Sequence, residues 1–478
     1  MSAESCRLFC AGCGAEISLA EPFPFRCPRA RAGDDIDHVV TVAVDLEGRS
    51  LCGSGLDEGT NPFVYFRELH CAWHVARERG LSDAAYVALV EEIDRAVAKV
   101  DGRGFRVTPY RRERELSRAL GGDESGGIWV KDETGNVSGS HKARHLMGLA
   151  IHLEVAERTG LAAPGATPGL GIASCGNAAL AAAALARAVG RPLEVFVPPW
   201  ADAPVVARLE ALKATLTRCP RSPGDPPGDP CYLRFREAVH AGTLPFTCQG
   251  SENGLTIEGG KTLGWELACQ HAALGGPPLD CLAIQVGGGA LASSCAQALR
   301  IARDLGVLPR LPRIHAVQTE GGHPLERAWR RVARAMLERL AAEGDASAEP
   351  EALSDAELAA WLRQRPDAIR EVLERAARSR SGYMWPWEEE PTSAASGILD
   401  DETYDWLEIV RAMLETGGWP VVVSEAQIAR AHEVARKTTG IDVDPTGSAG
   451  LAGLLALRER GDLRAGENAA VLFTGVQR

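Results

Sequence analysis

Ile128-Trp129-Val130-Lys131-Asp132-Glu133-Thr134-Gly135-Asn136-Val137-Ser138-Gly139-Ser140-His141-Lys142 runs from a strand-like stretch through a small, hydroxyl- and glycine-rich turn, and an apolar helical run follows. A lysine fixed after such a turn, at a helix start, is suited to bond an aldehyde through its ε-amine. The turn leaves room and backbone N–H groups for a phosphate. The plain alternative is an exposed lysine at an ordinary helix start capped by Ser138 or Ser140. Segments further along the chain weigh against that alternative.

Outward from this turn the pattern is strand, turn, helix, repeated. Gly171-Ile172-Ala173-Ser174 ends a short strand, and Gly176–Val189 reads as a helix stopped by Gly190. Leu193–Val197 reads as a buried strand, Val205–Leu216 as a helix, and Pro220–Pro230 as a surface loop. A second series follows: a helix from Gly260 to Ala273, a strand at Cys281–Val286, a turn at Gly287–Gly289, a helix at Ala290–Leu305 and a strand at Ile314–Gln318. Residues 61–118 look helical, with Leu81–Val100 carrying apolar residues at a spacing of three and four. Residues 325–378 are helical and charged, broken at Gly344 and Pro350, and 382–403 are irregular around Trp385-Pro386-Trp387 and Glu388–Glu390. The end returns to the pattern with a Val421–Val423 strand, helices at Glu425–Thr438 and Gly447–Arg460, and an Ala470–Phe473 strand. Alternating strands and helices imply an α/β protein, its sheets mostly parallel and covered by helices on both faces.

Bulk properties narrow the function. A chain of 478 residues suggests two or three domains. Its 45% hydrophobic and 24% charged content is that of a soluble globular protein. The net charge of −12 argues against a nucleic-acid partner, which needs clustered Lys and Arg. No apolar run is long enough to span a bilayer, and the N-terminus has no secretion signal, so a cytoplasmic protein is expected. Thirteen scattered cysteines fit the same reducing compartment.

Three further segments carry chemistry. Gly287-Gly288-Gly289-Ala290 follows a strand and opens a helix, where glycines let the backbone close on an anion and the helix N-terminus favours a phosphate. The spacing is neither a dinucleotide fingerprint nor a Walker loop. Ser174-Cys175-Gly176-Asn177 lies at another strand-to-helix turn, where Asn177 can cap the helix, offer its amide to a phenolate or carboxylate, or do both. Phe473-Thr474-Gly475 ends the last strand, and open parallel sheets place ligands beyond the carboxyl ends of their strands.

Together these segments resemble the threonine synthase and threonine dehydratase group, the fold type II pyridoxal phosphate (PLP) enzymes of the tryptophan synthase β family. The likeness covers roughly residues 105–320 and 420–478, and includes Glu258-Gly259-Gly260-Lys261-Thr262 and Asp444-Pro445-Thr446-Gly447. Ala143-Arg144-His145 stands where threonine synthases usually show Asp-Arg-Gly. The resemblance implies two three-layer αβα domains. Residues 61–140 together with 250–478 form the large cofactor-binding one. Residues 141–249 form the small one with the cofactor-bearing lysine, and 1–60 form a cysteine-bearing, ribbon-like segment. It implies that Lys142 carries PLP, that Asn177 contacts its 3′-oxygen, that Gly287, Gly288, Gly289, Ala290 and Leu291 grip its phosphate, and that Thr474 meets its ring nitrogen. His141 is a candidate phosphate contact. Ser138, Gly139 and Ser140 are placed to receive a substrate carboxylate. Cys10-x-x-Cys13 with Cys27 resembles the zinc-ribbon start of some threonine synthases, with Cys6, His38 or Cys52 available as a fourth ligand. A homodimer is implied as well.

The expected activity is that of a lyase acting on an amino acid. Its threonine synthase-like form converts O-phosphohomoserine to threonine and phosphate, and would use an anion pocket for which Lys131, Arg144 and Lys261 are candidates. The alternatives are a serine or threonine ammonia-lyase or a β-replacement synthase, and a turnover-deficient binding protein that keeps the fold.

Overall fold

The structure, a computed structural model, describes residues 5–122, 126–163, 165, 168–343 and 353–478. The chain divides into two compact units. One comprises 1–31, 38–108 and 135–266; the other comprises 32–37, 109–134 and 267–478.

The first unit is built on a four-stranded sheet whose strands all run parallel. In spatial order they are Thr215–Arg218, Leu193–Val197, Leu170–Ala173 and Leu244–Pro245. The helix Asn177–Ala188 is alanine-rich and buried along most of its length, and it packs on the strands, on the helix Lys142–Arg158 and on the helix Asp83–Asp101. Ser82 caps the Asp83–Asp101 helix by accepting the Ala85 N–H, and Gly102 ends it in the left-handed region at φ +88°. These contacts group residues 61–108 with the lysine helix, whereas the sequence suggested that 61–140 would go with the larger sheet. A small antiparallel sheet of Glu16–Ile17, Cys6–Cys10 and Val40–Val44 belongs to this unit too.

The helix expected over Val205–Leu216 is shorter in the structure. The helix Ala203–Ala211 stops short of 216, and residues 215–218 form a strand. Lys213 adopts φ +67°, which a helix cannot accommodate, and the β-branched Thr215 and Thr217 then join the sheet edge.

The second unit holds a six-stranded sheet in the order Val421–Val423, Arg313–Thr319, Cys281–Gln285, Asn468–Phe473, Gly127–Asp132 and Tyr110–Arg112. Only the Tyr110–Arg112 edge runs antiparallel. The central strands are buried on both faces, as parallel strands between helices must be. The helix Pro445–Arg460 lies close on the sheet because it presents glycines there: a Cβ at Gly450 would meet Ala283 O at 2.9 Å. The charged helical stretch resolves into Pro324–Ala342, Asp355–Arg363 and Pro366–Ala377. The break expected at Gly344 and Pro350 lies outside the described residues. Mostly parallel sheets covered by helices bear out the α/β reading.

Candidate active site

Lys142 is the first residue of the helix Lys142–Arg158 and is half-buried. The turn before it is tightly wound. Ser138 sits at φ +56° and Gly139 at +62°, and Asn136 Oδ1 accepts the Val137 N–H at 2.8 Å. A left-handed serine is uncommon outside sites where the surroundings hold it. Here the Ser138 N–H is tied to Asp101 Oδ2 at 3.0 Å. Ser140 is fully buried, and its Oγ has no hydrogen-bond partner among the described residues. A buried hydroxyl left unsatisfied costs on the order of 1–3 kcal/mol, so an orphan hydroxyl two residues before a lysine fits a missing polar ligand. The turn packs against the helix that Asn177 opens, so Ser138–Ser140 and Asn177 lie in one neighbourhood of the first unit.

The lysine helix is held from behind. A Cβ on Gly148 would lie 2.8 Å from Gly259 N, and one on Gly259 would overlap Arg144 O, so this helix and the helix Thr256–Ala273 cross at a contact only glycine permits. Beside that contact Arg144 is wholly buried. It grips Glu266 with both terminal nitrogens at 2.6 and 3.1 Å and bonds Thr262 Oγ1 at 3.0 Å and Thr108 Oγ1 at 3.2 Å. The buried Lys261 pairs with Glu258, which also accepts the Cys71 N–H at 3.1 Å. In the second unit the buried Lys131 donates to Gln270 Oε1 at 2.8 Å. All three cations expected to line an anion pocket are thus committed to internal partners. Their role in the structure is to fix the strand and helices that carry them.

His141 is buried beside His145, ring to ring at 5.8 Å. Burial, with the Lys142 charge nearby, pushes the His145 imidazole down to about 3, and the ring bonds Thr256 O at 2.9 Å. It is a neutral structural histidine.

In the second unit two adjacent parallel strands, Cys281–Gln285 and Asn468–Phe473, end side by side. Beyond the first lie Gly287–Gly289 and the helix Ala290–Asp304; beyond the second lies Thr474, which is buried. Gly289 takes φ +100° to turn the chain into the helix. Gln285 joins the two strand ends: its Nε2 lies 2.7 Å from Thr474 Oγ1, 2.8 Å from Gly447 O and 3.0 Å from Leu472 O. The glycine loop, Ala290, Leu291 and Thr474 are therefore neighbours at the carboxyl edge of one sheet, where open α/β sheets bind ligands.

Two residues escaped the sequence reading. Gln285 carries a faint signal, a lone amide closing an otherwise apolar strand. Asp400, whose carboxylate accepts the Gly288 N–H at 2.7 Å, carries none, because it lies in an irregular stretch more than a hundred residues from the loop.

In the N-terminal sheet the antiparallel register sets Cys10 opposite Val40 and so brings His38 to the cysteines. Ligand atoms of Cys10, Cys13, Cys27 and His38 all lie within 4.8 Å of one another. Cys13 Sγ and Cys27 Sγ are 3.6 Å apart, and Cys10 Sγ and His38 Nδ1 are 3.4 Å apart.

Residues 103–385 match the family model described as pyridoxal-phosphate dependent enzyme, and the chain belongs to that family. Among curated relatives, threonine synthase of Methanocaldococcus jannaschii is 21% identical over 368 residues, covering 77% of this chain and 74% of that one. Threonine synthase of Bacillus sp. (strain ULM1) is 31% identical over 87 residues, 18% of this chain, and the match spans 25% of that protein's length. Among solved structures, a threonine deaminase from T.th. superimposes with a TM-score of 0.54 at 21% identity, over 82% of this chain and 98% of that one, a likeness of fold.

Proposed function

We propose that this enzyme breaks a bond at the β- or γ-carbon of an amino acid after removing the Cα proton. When bound, PLP supplies the electron sink for the charge left at Cα. The protein supplies the rest. The Lys142 amine would bear the cofactor and is the group that would take the Cα proton. Backbone and hydroxyl donors of Ser138, Gly139 and Ser140, with Asn177, receive the substrate carboxylate, and Asn177 also meets the cofactor's 3′-oxygen. Gly287, Gly288, Gly289, Ala290 and Leu291 hold the phosphate, with His141 as a further contact. Thr474, braced by Gln285, offers the ring nitrogen a neutral hydroxyl. A hydroxyl at Thr474 would not hold that nitrogen in its protonated form as a carboxylate would, which would favour loss of a leaving group. The observation that carries this reading is the orphan buried hydroxyl of Ser140 beside a lysine on a left-handed turn.

The threonine synthase-like reaction on O-phosphohomoserine is the first substrate reading, supported by the relatives named above. The ammonia-lyase or β-replacement reading draws support from a specific observation: Lys131, Arg144 and Lys261 are tied to Gln270, Glu266 and Glu258 rather than aimed at a substrate phosphate. Release of inorganic phosphate from O-phosphohomoserine establishes the first. Ammonia and a keto acid from serine or threonine, with no phosphate release, establish the second.

For the N-terminal segment we propose a zinc site of Cys10, Cys13, Cys27 and His38. Tetrahedral bonds of about 2.0–2.3 Å set ligand atoms roughly 3.5–3.8 Å apart, which the two observed separations approach. Metal analysis of the purified protein is expected to find about one zinc per chain; less than about half contradicts the site. A cytoplasmic homodimer, expected from the sequence, belongs to the same proposal, with light scattering as the check on its mass.

A further inference from the structure

Between the turn Ser396–Ile398 and the helix Trp406–Thr416 an irregular strap runs over the glycine loop. Three bonds join them. Asp400 Oδ2 accepts the Gly288 N–H at 2.7 Å, Thr403 Oγ1 donates to Gly287 O at 3.0 Å, and the Asp405 N–H donates to Gly288 O at 3.1 Å. A Cβ on Gly287 would overlap the Asp400 carboxylate, and one on Gly288 would lie 2.8 Å from Tyr404 Cδ2. The strap's backbone is pinned on both sides of Asp400. The Gly397 N–H donates to Thr446 Oγ1 at 3.0 Å, the Trp387 N–H donates to Asp401 O at 2.9 Å, and Glu402 pairs with Arg380.

We propose that Asp400 is an internal anion that competes with the cofactor's phosphate for the glycine loop. This rests on the reading that the loop holds that phosphate. The N–H of Gly288 stands at a helix N-terminus, where oxyanions are favoured, and here it already has one. A single N–H cannot serve two anions well, and a carboxylate against a phosphate is repulsive. With the backbone pinned, the carboxylate yields by turning about its own side-chain bonds. Phosphate-bearing ligands therefore bind against the Asp400 charge, and a ligand without phosphate does not. The strap that contains Asp400 thus sets how tightly the enzyme retains its cofactor.

The test compares PLP with pyridoxal, which lacks the phosphate, by equilibrium titration of wild type, Asp400→Asn and Asp400→Glu, read from absorbance and tryptophan fluorescence rather than turnover. Asparagine keeps an oxygen for the Gly288 N–H but removes the charge, so the fold is retained. The expected result is that Asp400→Asn tightens PLP by about tenfold or more and leaves pyridoxal unchanged, while Asp400→Glu stays within roughly threefold of wild type for both. Unchanged or weaker PLP binding by Asp400→Asn overturns the proposal, as does equal tightening of both ligands. Wild type that prefers PLP to pyridoxal but does not respond at position 400 sinks this inference alone. Wild type that binds neither sinks the cofactor reading itself.

Discussion

Lys142 and Arg144 stand two residues apart on one helix and do opposite work. The amine of Lys142 is half-buried at the helix start, whereas the guanidinium of Arg144 is sealed against Glu266. Lys142→Ala is expected to lower turnover by about a thousandfold or more while circular dichroism stays that of wild type, since the substitution removes the proposed base and cofactor tether but no packing. Retained multi-turnover activity would contradict the role given to the lysine. Glu266→Ala strands a buried charge and is expected to cost about 3–5 kcal/mol in denaturant unfolding. A cost below about 1 kcal/mol would mean the pair is not closed in solution. At this scale the turns that carry Lys142, Gly287–Gly289 and Asn177 were legible, because small residues at the starts of helices leave a local mark. The fate of Arg144, Lys131 and Lys261 was not legible. A cation's partner is set by tertiary packing, and Glu266 is far from Arg144 along the chain.

Among the elements, the N-terminal sheet buries Cys6, Leu8, Cys10, Ile17 and Val40. The apolar cluster around its proposed metal ligands is small: Cys10, Ala15 and Cys27 with Cys13 and Ala30 beside them. A four-ligand metal would tie the segments that carry these ligands together. Chelation is therefore expected to loosen residues 6–44 first, seen as faster amide exchange there than in the helix Pro445–Arg460. Equal exchange before and after chelation would contradict a structural metal. The sequence offered three ligands by spacing alone and left the fourth open, because His38 reaches the cysteines only through the pairing of Cys6–Cys10 with Val40–Val44. The same limit explains the overlong Val205–Leu216 helix. Apolar spacing continues past Ala211, and only the left-handed Lys213 ends the helix.

Over the whole molecule, each compact unit carries part of the expected constellation. Ser138–Lys142 and Asn177 belong to one, and Gly287–Leu291 and Thr474 to the other. The alternation of strands and helices made the two sheets legible, whereas the grouping of residues 61–108 depended on helix packing that no local pattern records. Stability should also depend on pH through buried histidines. Burial pushes His70 and His152 down to about 4 and His145 and His315 down to about 3. In the unfolded chain these rings take up protons near pH 6.5, but in the folded one only well below that. Stability is therefore fully present above about pH 6.5 and is lost as pH falls, by up to about 1.4 kcal/mol per pH unit for each histidine. Thermal unfolding between pH 7.5 and 5 is expected to show a falling midpoint; a midpoint that rises on acidification would contradict it.

We propose that one amine, that of Lys142, bears the cofactor. Borohydride reduction of the PLP-loaded protein, followed by peptide mass spectrometry, tests this directly. A phosphopyridoxyl group on Lys142 is predicted; its absence from that residue, or its presence on another lysine in its place, would contradict the account.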